Sequence, residues 1–310
     1  MVKAADRAKN PTRSSVWLED RTPRGGGGGP AGLDRDRIVV AAIRMLDEGG
    51  LTQLSMRKLA AELNVTAMSL YWYVDTKDDI IEYAVDTVYG EIDLAAVDAA
   101  GEWRDRIRVL ALDYRRMLVR HPWMSPSAGQ YLNIGPHAIA VGGKIQEAVR
   151  DTGLPLDRQP SAMSAVFQFV YGYGTIESQF ERRAAQAGMS QDDFYGESIK
   201  AFREEPSFAE VLEPLGDLLD ERASHGSVTE IWDRDFDYAM DVLVAGIETM
   251  VSREARARET ADVGETRRPP EAGETREAGE TREAVETPEA VETPETPEAV
   301  EVRETGRRQT

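Results

Sequence analysis

Apolar residues recur along this chain with helical spacing. Val39, Ala42, Ile43 and Leu46 follow the i, i+3, i+4, i+7 rule, and Gly49-Gly50 then stop that helix. Trp103, Ile107, Leu110, Tyr114, Met117 and Leu118 form a second stripe, ended by His121-Pro122. A third stripe runs over 139–149 and closes at Gly153 and Pro155. Residues 161–180 are apolar almost all round, which predicts a helix buried on several sides. A last long helix is predicted over 236–251. Strand-like alternation is scarce, so the pattern predicts an all-α protein with a small N-terminal unit and a larger C-terminal helical bundle.

The densest local signals lie in "LSMRKLAAELNVTAMSLYWYVDTKDDI". Ser55 is placed to cap a short helix carrying Leu59, Ala60 and Leu63. Asn64 then stands where the chain must turn, and asparagine tolerates the left-handed backbone better than most residues. Val65 plugs the turn, and Thr66 caps the next helix. Thr76 with Asp79 resembles a capping box with Asp in place of Glu. Two short helices, a tight turn and a small residue at the crossing predict a helix-turn-helix whose second helix enters a DNA major groove.

Three adjacent aromatics fit that placement. Leu70, Tyr71 and Val74 share an inner face, and Ala67 and Met68 occupy the exposed first turn where base edges would lie. Trp72 and Tyr73 project sideways, to pack on sugars and donate to phosphates. Lys77 opens the next helix, where it can pair with a phosphate, and Arg57 can reach a base or the backbone.

Charge at first argues the other way. Net charge is −19 with a pI of about 4.7. It is unevenly spread, however. Residues 1–32 carry 6 Lys or Arg against 3 acids, whereas 253–310 carry 10 Arg against 16 acids. Local patches therefore decide binding. Residues 1–32, with "RTPRGGGGGPAG", read as a disordered arm. No Lys-Ser or Lys-Thr follows the glycines, which removes a phosphate loop. Residues 255–310 repeat "EAGETR" and "EAVETP" and read as a disordered acidic tail. There is no Cys, no His-x-x-x-His spacing, no secretory signal and no membrane-length apolar run. His121, His137 and His225 stand alone in sequence. No metal, no cofactor and no catalytic residue is expected, and a cytoplasmic location is.

Residues 33–80 resemble the DNA-binding domain of the TetR family of bacterial transcription regulators. The resemblance rests on Met56-Arg57-Lys58-Leu59-Ala60, Val65, Leu70-Tyr71-Trp72-Tyr73-Val74 and Lys77, about a sixth of the chain. Asn64 stands where the family usually has Gly. The resemblance implies that Arg57, Ala67, Met68, Ser69, Trp72, Tyr73 and Lys77 face double-stranded DNA, and that Thr66 caps the recognition helix and touches a phosphate. It also implies a homodimer on a palindromic operator, and a ligand-binding and dimerisation domain over 81–254. Within it, 158–184 and 233–252 would pair with their two-fold mates, with Gly172 and Gly174 allowing close approach. A pocket for a small hydrophobic effector would draw on Trp103, Tyr114, Trp123, Met124, Phe167 and Tyr171.

Two other functions fit parts of the sequence. Asp233, Asp237 and Asp241 share one helix face, as carboxylates of a helical enzyme would. A helical adaptor would use the helix-turn-helix against protein rather than DNA. A ligand-responsive repressor accounts for more of the residues than either.

Overall fold

The computed structural model describes residues 15–18, 32–208, 214–217, 221 and 226–266. Every element among the described residues is helical. The chain divides into units at 1–263 and 264–310, and the contacts below lie within the first.

The N-terminal domain is built from α1 (Arg35–Gly49), α2 (Met56–Glu62), α3 (Ala67–Leu70) and the start of α4 (Lys77–Tyr89). Asp34 caps α1 by accepting from the Arg37 amide, and Gly50 ends it at φ 69°. Ile38, Val39, Ala42 and Leu46 turn inward against Leu59, Leu70, Val74 and Ile80. Beyond α4 come α5 (Leu94–Ala99), α6 (Trp103–Arg120), α7 (Met124–Ser127), α8 (Pro136–Arg150), α9 (Gln159–Gln186), α10 (Gln191–Glu204) and α11 (Val228–Thr266). The expected α6 stripe is buried at Trp103, Ile107, Leu110, Met117 and Leu118 and half-buried at Tyr114.

Two apolar cores result. One joins α1–α4 to Leu110, Met117, Leu118, Trp123 and Met124, so the N-terminal domain and the end of α6 share a single packed interior. The other gathers Trp103, Ile107, Val166, Val170, Phe236, Met240 and Val244 between α6, α9 and α11. Gly174 lets α9 approach α6 closely, because a Cβ there would meet Leu118 Cβ at 3.1 Å. That glycine therefore serves packing inside one chain, while Gly172 faces open space.

Three expectations need correction. Part of the 1–32 arm is packed: Ser15 Oγ donates to Glu82 Oε2 at 2.7 Å, the Val16 amide donates to the same oxygen at 3.0 Å, and Trp17 sits edge-on to Tyr83 at 5.1 Å. Burying Glu82 creates a demand for donors that a nearby segment supplies. At the other end, α11 continues through Thr266, past the boundary drawn at 254, because Arg and Ala between 253 and 258 sustain a helix. Helix α9 is not buried on several sides of one chain. Val166, Val170 and Gly174 are inside, whereas Ile176 is 62% exposed.

Candidate nucleic-acid interface

The turn between α2 and α3 is closed by two backbone bonds, Val65 N–H to Ala60 O at 2.9 Å and Asn64 N–H to Ala61 O at 3.1 Å. This is the Schellman pattern, and it requires a left-handed residue at Asn64, where φ is 54°. Thr66 then caps α3, its hydroxyl accepting from the Ser69 amide at 3.2 Å. Leu70 and Val74 are sealed inside, which fixes the outward side of the turn. Thr76 and Asp79 complete the capping box on α4.

Placement of the expected DNA-facing residues is mixed. Met68 is 72% exposed and Trp72 51%, and Arg57 and Thr66 are also on the surface. Ala67 and Ser69 are half-buried. Lys77 is half-buried and donates to Leu51 O at 2.7 Å, leaving two ammonium protons for another acceptor. Tyr73 departs from expectation. Its ring packs on the core and its hydroxyl donates to Leu33 O at 2.6 Å, so its proton is committed within the domain rather than offered to phosphate. Tyr71 departs in the opposite sense. It is 39% exposed rather than internal, because α3 ends at Leu70 and the inward spacing passes to Val74.

A polar hub that no spacing rule revealed joins this domain to the bundle. Asp47, near the end of α1, accepts from Trp123 Nε1 at 2.7 Å and lies 2.7 Å from His121 Nδ1. His121 Nε2 lies 3.1 Å from Glu91 Oε1, and Arg120 pairs with Glu91 at 2.7 Å. Burial of His121 opposes its protonation, but hydrogen bonds and charge from Asp47 and Glu91 outweigh that and raise its pKa above the ordinary 6.5.

The six expected effector residues do not converge on one cavity. A narrow apolar crevice of about 20 Å³ lies between α6, α8, α9 and α11, lined by Ile107, Leu110, Ile145, Val166, Phe167 and Ile247 among others. Of the six, only Phe167 lines it. Tyr114 stacks beside it, 5.6 Å from Phe167 and 6.5 Å from Tyr89, and burial raises its phenol pKa. Tyr171 donates to Ser125 O at 2.9 Å. Trp103, Trp123 and Met124 are core residues instead, all at most 6% exposed, because the two packed interiors absorb them. The acidic row on α11 is also dispersed. Asp233 pairs with buried Arg115 at 2.8 Å and Asp241 with Arg108 at 2.9 Å. No carboxylate and imidazole groups cluster for a metal among the described residues. His137 binds Asp86 at 2.9 Å, and His225 lies outside the described residues.

Known proteins decide the family. Residues 38–84 match the family described as "Bacterial regulatory proteins, tetR family", and 96–251 match "Tetracyclin repressor-like, C-terminal domain", half of the chain by itself. The chain belongs to the TetR family. Among relatives of this TetR-family chain is an HTH-type transcriptional regulator of Saccharopolyspora erythraea, 40% identical over 156 residues, 50% of this chain and 65% of that protein. The HTH-type transcriptional repressor DrrR1 of Streptomyces coeruleorubidus is 31% identical over 188 residues, 59% of this chain and 67% of that one. The matches thus span about two thirds of these relatives' lengths. The Streptomyces coelicolor TetR family protein ActR, solved in complex with actinorhodin, superposes with TM-score 0.55 at 26% identity, over 70% of this chain and 96% of that one. Among the described residues no helix is long and apolar enough to cross a membrane.

Proposed function

We propose that this TetR-family chain is a cytoplasmic transcription repressor, not an enzyme, that binds a palindromic operator as a homodimer and is released by a small hydrophobic effector. The observation that carries it is the α2–α3 turn, a rigid frame with Met68 and Trp72 held outward. One short recognition helix reads too few base pairs for specificity, so a two-fold partner is a physical requirement. Tyr238, Val242 and Met250 line one side of α11, exposed by 72%, 57% and 44%, and Ile176 lies exposed on α9. These apolar positions support pairing of α9 and α11 with a second copy.

The apolar lining of the crevice supports a hydrophobic effector that opens the space as it enters, and the actinorhodin complex of ActR agrees with that chemistry. An effector wedged beside Phe167 would shift α6 against α8. The hub at His121 and Asp47 would pass that shift to α1, changing the spacing of the two recognition helices. Such an effector acts only by its difference in affinity between the two arrangements.

Titration of the duplex upstream of the protein's own gene, followed by fluorescence anisotropy, tests the reading. Binding that weakens steeply with added salt is expected, because phosphate contacts release counterions. Complete indifference to duplex DNA would overturn it.

A further inference from the structure

Between Val65 and Val74 the sequence TAMSLYWY contains no Lys, Arg, His, Asn, Gln, Asp or Glu. Bidentate hydrogen bonding to base edges needs one of those side chains. Three of the hydroxyls on this turn are engaged with each other or inside the domain. Thr66 Oγ1 and Ser69 Oγ lie 2.9 Å apart, and Tyr73 donates to Leu33 O. What the turn offers outward is mostly apolar area, edged by the Trp72 indole N–H and the Tyr71 phenol. Met68 and Trp72 are 72% and 51% exposed and Tyr71 39%, so three large side chains make up the outward strip of this turn. The strip is held in place by the sealed Leu70 and Val74 behind it, so its outward direction is not a matter of chance.

The major groove carries one apolar group, the 5-methyl of thymine. We infer that the operator half-site is read at Met68 through a thymine methyl rather than through a hydrogen bond. This rests on the DNA-binding reading above. The unbranched thioether of methionine is flexible enough to close around a methyl and polarizable enough to gain from the contact. Hydrogen-bonded readout then falls to Arg57 on α2, which the structure places on the surface outside the strip. Discrimination at the Met68 position is therefore thymine against cytosine or uracil, set by one methyl, and 5-methylcytosine restores it.

The test uses the full chain and a duplex recovered by selection from a randomised pool. Each thymine of the half-site is replaced in turn by deoxyuridine, symmetrically in both halves, and affinity is read at fixed salt. Removing one contacted methyl should weaken wild-type binding about fourfold per half-site, or about fifteenfold for the symmetric pair. Met68→Ala should bind the thymine and deoxyuridine duplexes equally, Met68→Leu should keep part of the difference, and Met68→Gln should lose it. Thermal melting shows whether each variant is folded, and truncation of so exposed a side chain should leave the melt in place. Tight, specific binding by the wild type with indifference to every deoxyuridine would overturn methyl readout and leave the regulator standing. So would a Met68→Ala protein that keeps the full thymine preference. Failure to recover any duplex would overturn both readings at the selection step.

Discussion

Asp47→Ala tests the joint between the two domains. Asp47 accepts from Trp123 Nε1 and pairs with His121 Nδ1, both at 2.7 Å, and removing it leaves two buried donors without a partner. A hydrogen bond to a charged group contributes about 1.5–3 kcal/mol. The Asp47 side chain is 31% exposed, so water can reach part of the site and the low end applies to each bond. The expected loss is about 3 kcal/mol, or about 6–12 °C in melting temperature for a body of this size. Asp47→Asn keeps an acceptor for Trp123 and should lose roughly half as much. The pH dependence is diagnostic. His121 has a folded pKa above its ordinary 6.5, so its contribution is fully present below pH 6.5 and fades as pH rises through the folded value. Wild-type melting temperature should therefore decline from near neutral pH upward, and the Asn variant should lose part of that slope, Glu91 sustaining the rest. Circular dichroism melts between about pH 6 and about pH 9 read both effects. An Ala variant melting with the wild type, or coincident pH profiles for wild type and Asn variant, would refute the hub. If the hub also transmits the effector signal, the Ala variant should bind operator yet resist release by ligand.

Three further outcomes follow from local geometry. Asn64→Ala keeps a β-carbon in a left-handed position without the amide that eases it there and should cost about 1 kcal/mol in urea denaturation, while Asn64→Gly should be neutral or better. Glu82→Ala removes the acceptor of Ser15 and Val16, so the Val16 amide should exchange faster and cleavage within residues 15–18 should accelerate under limited proteolysis. Arg115→Ala leaves Glu177 and Asp233 without their shared cation, with Glu177 Oε1 and Oε2 losing bonds of 2.7 and 2.6 Å. It should destabilise the bundle by about 3–5 kcal/mol, read as a shift in denaturation midpoint.

Much of the interface was legible because its signals are local. Ser55, Thr66 and Thr76 cap helices through bonds that span three residues, and Asn64 adopts the left-handed turn expected of it. The apolar stripe of α6 appears in the sequence for the same reason, since one helix period orders it. Tyr71 and Tyr73 stand away from the sides that helical spacing predicts, because the helix ends at Leu70. Aromatic content near 114–180 marked the bundle but could not separate pocket from core, because both are built from the same residue types.

Caps, turns and the inward stripes of α1 and α6 were determined by the order of residues alone, since the partners involved lie within a turn of one another. Which distant groups meet was decided by the tertiary structure. Asp47 and His121 are 74 positions apart, Arg115 and Glu177 are 62, and Ser15 and Glu82 are 67. No periodicity connects such pairs. They come together because buried charge must find a partner, and only the packed arrangement of helices determines which one is in reach.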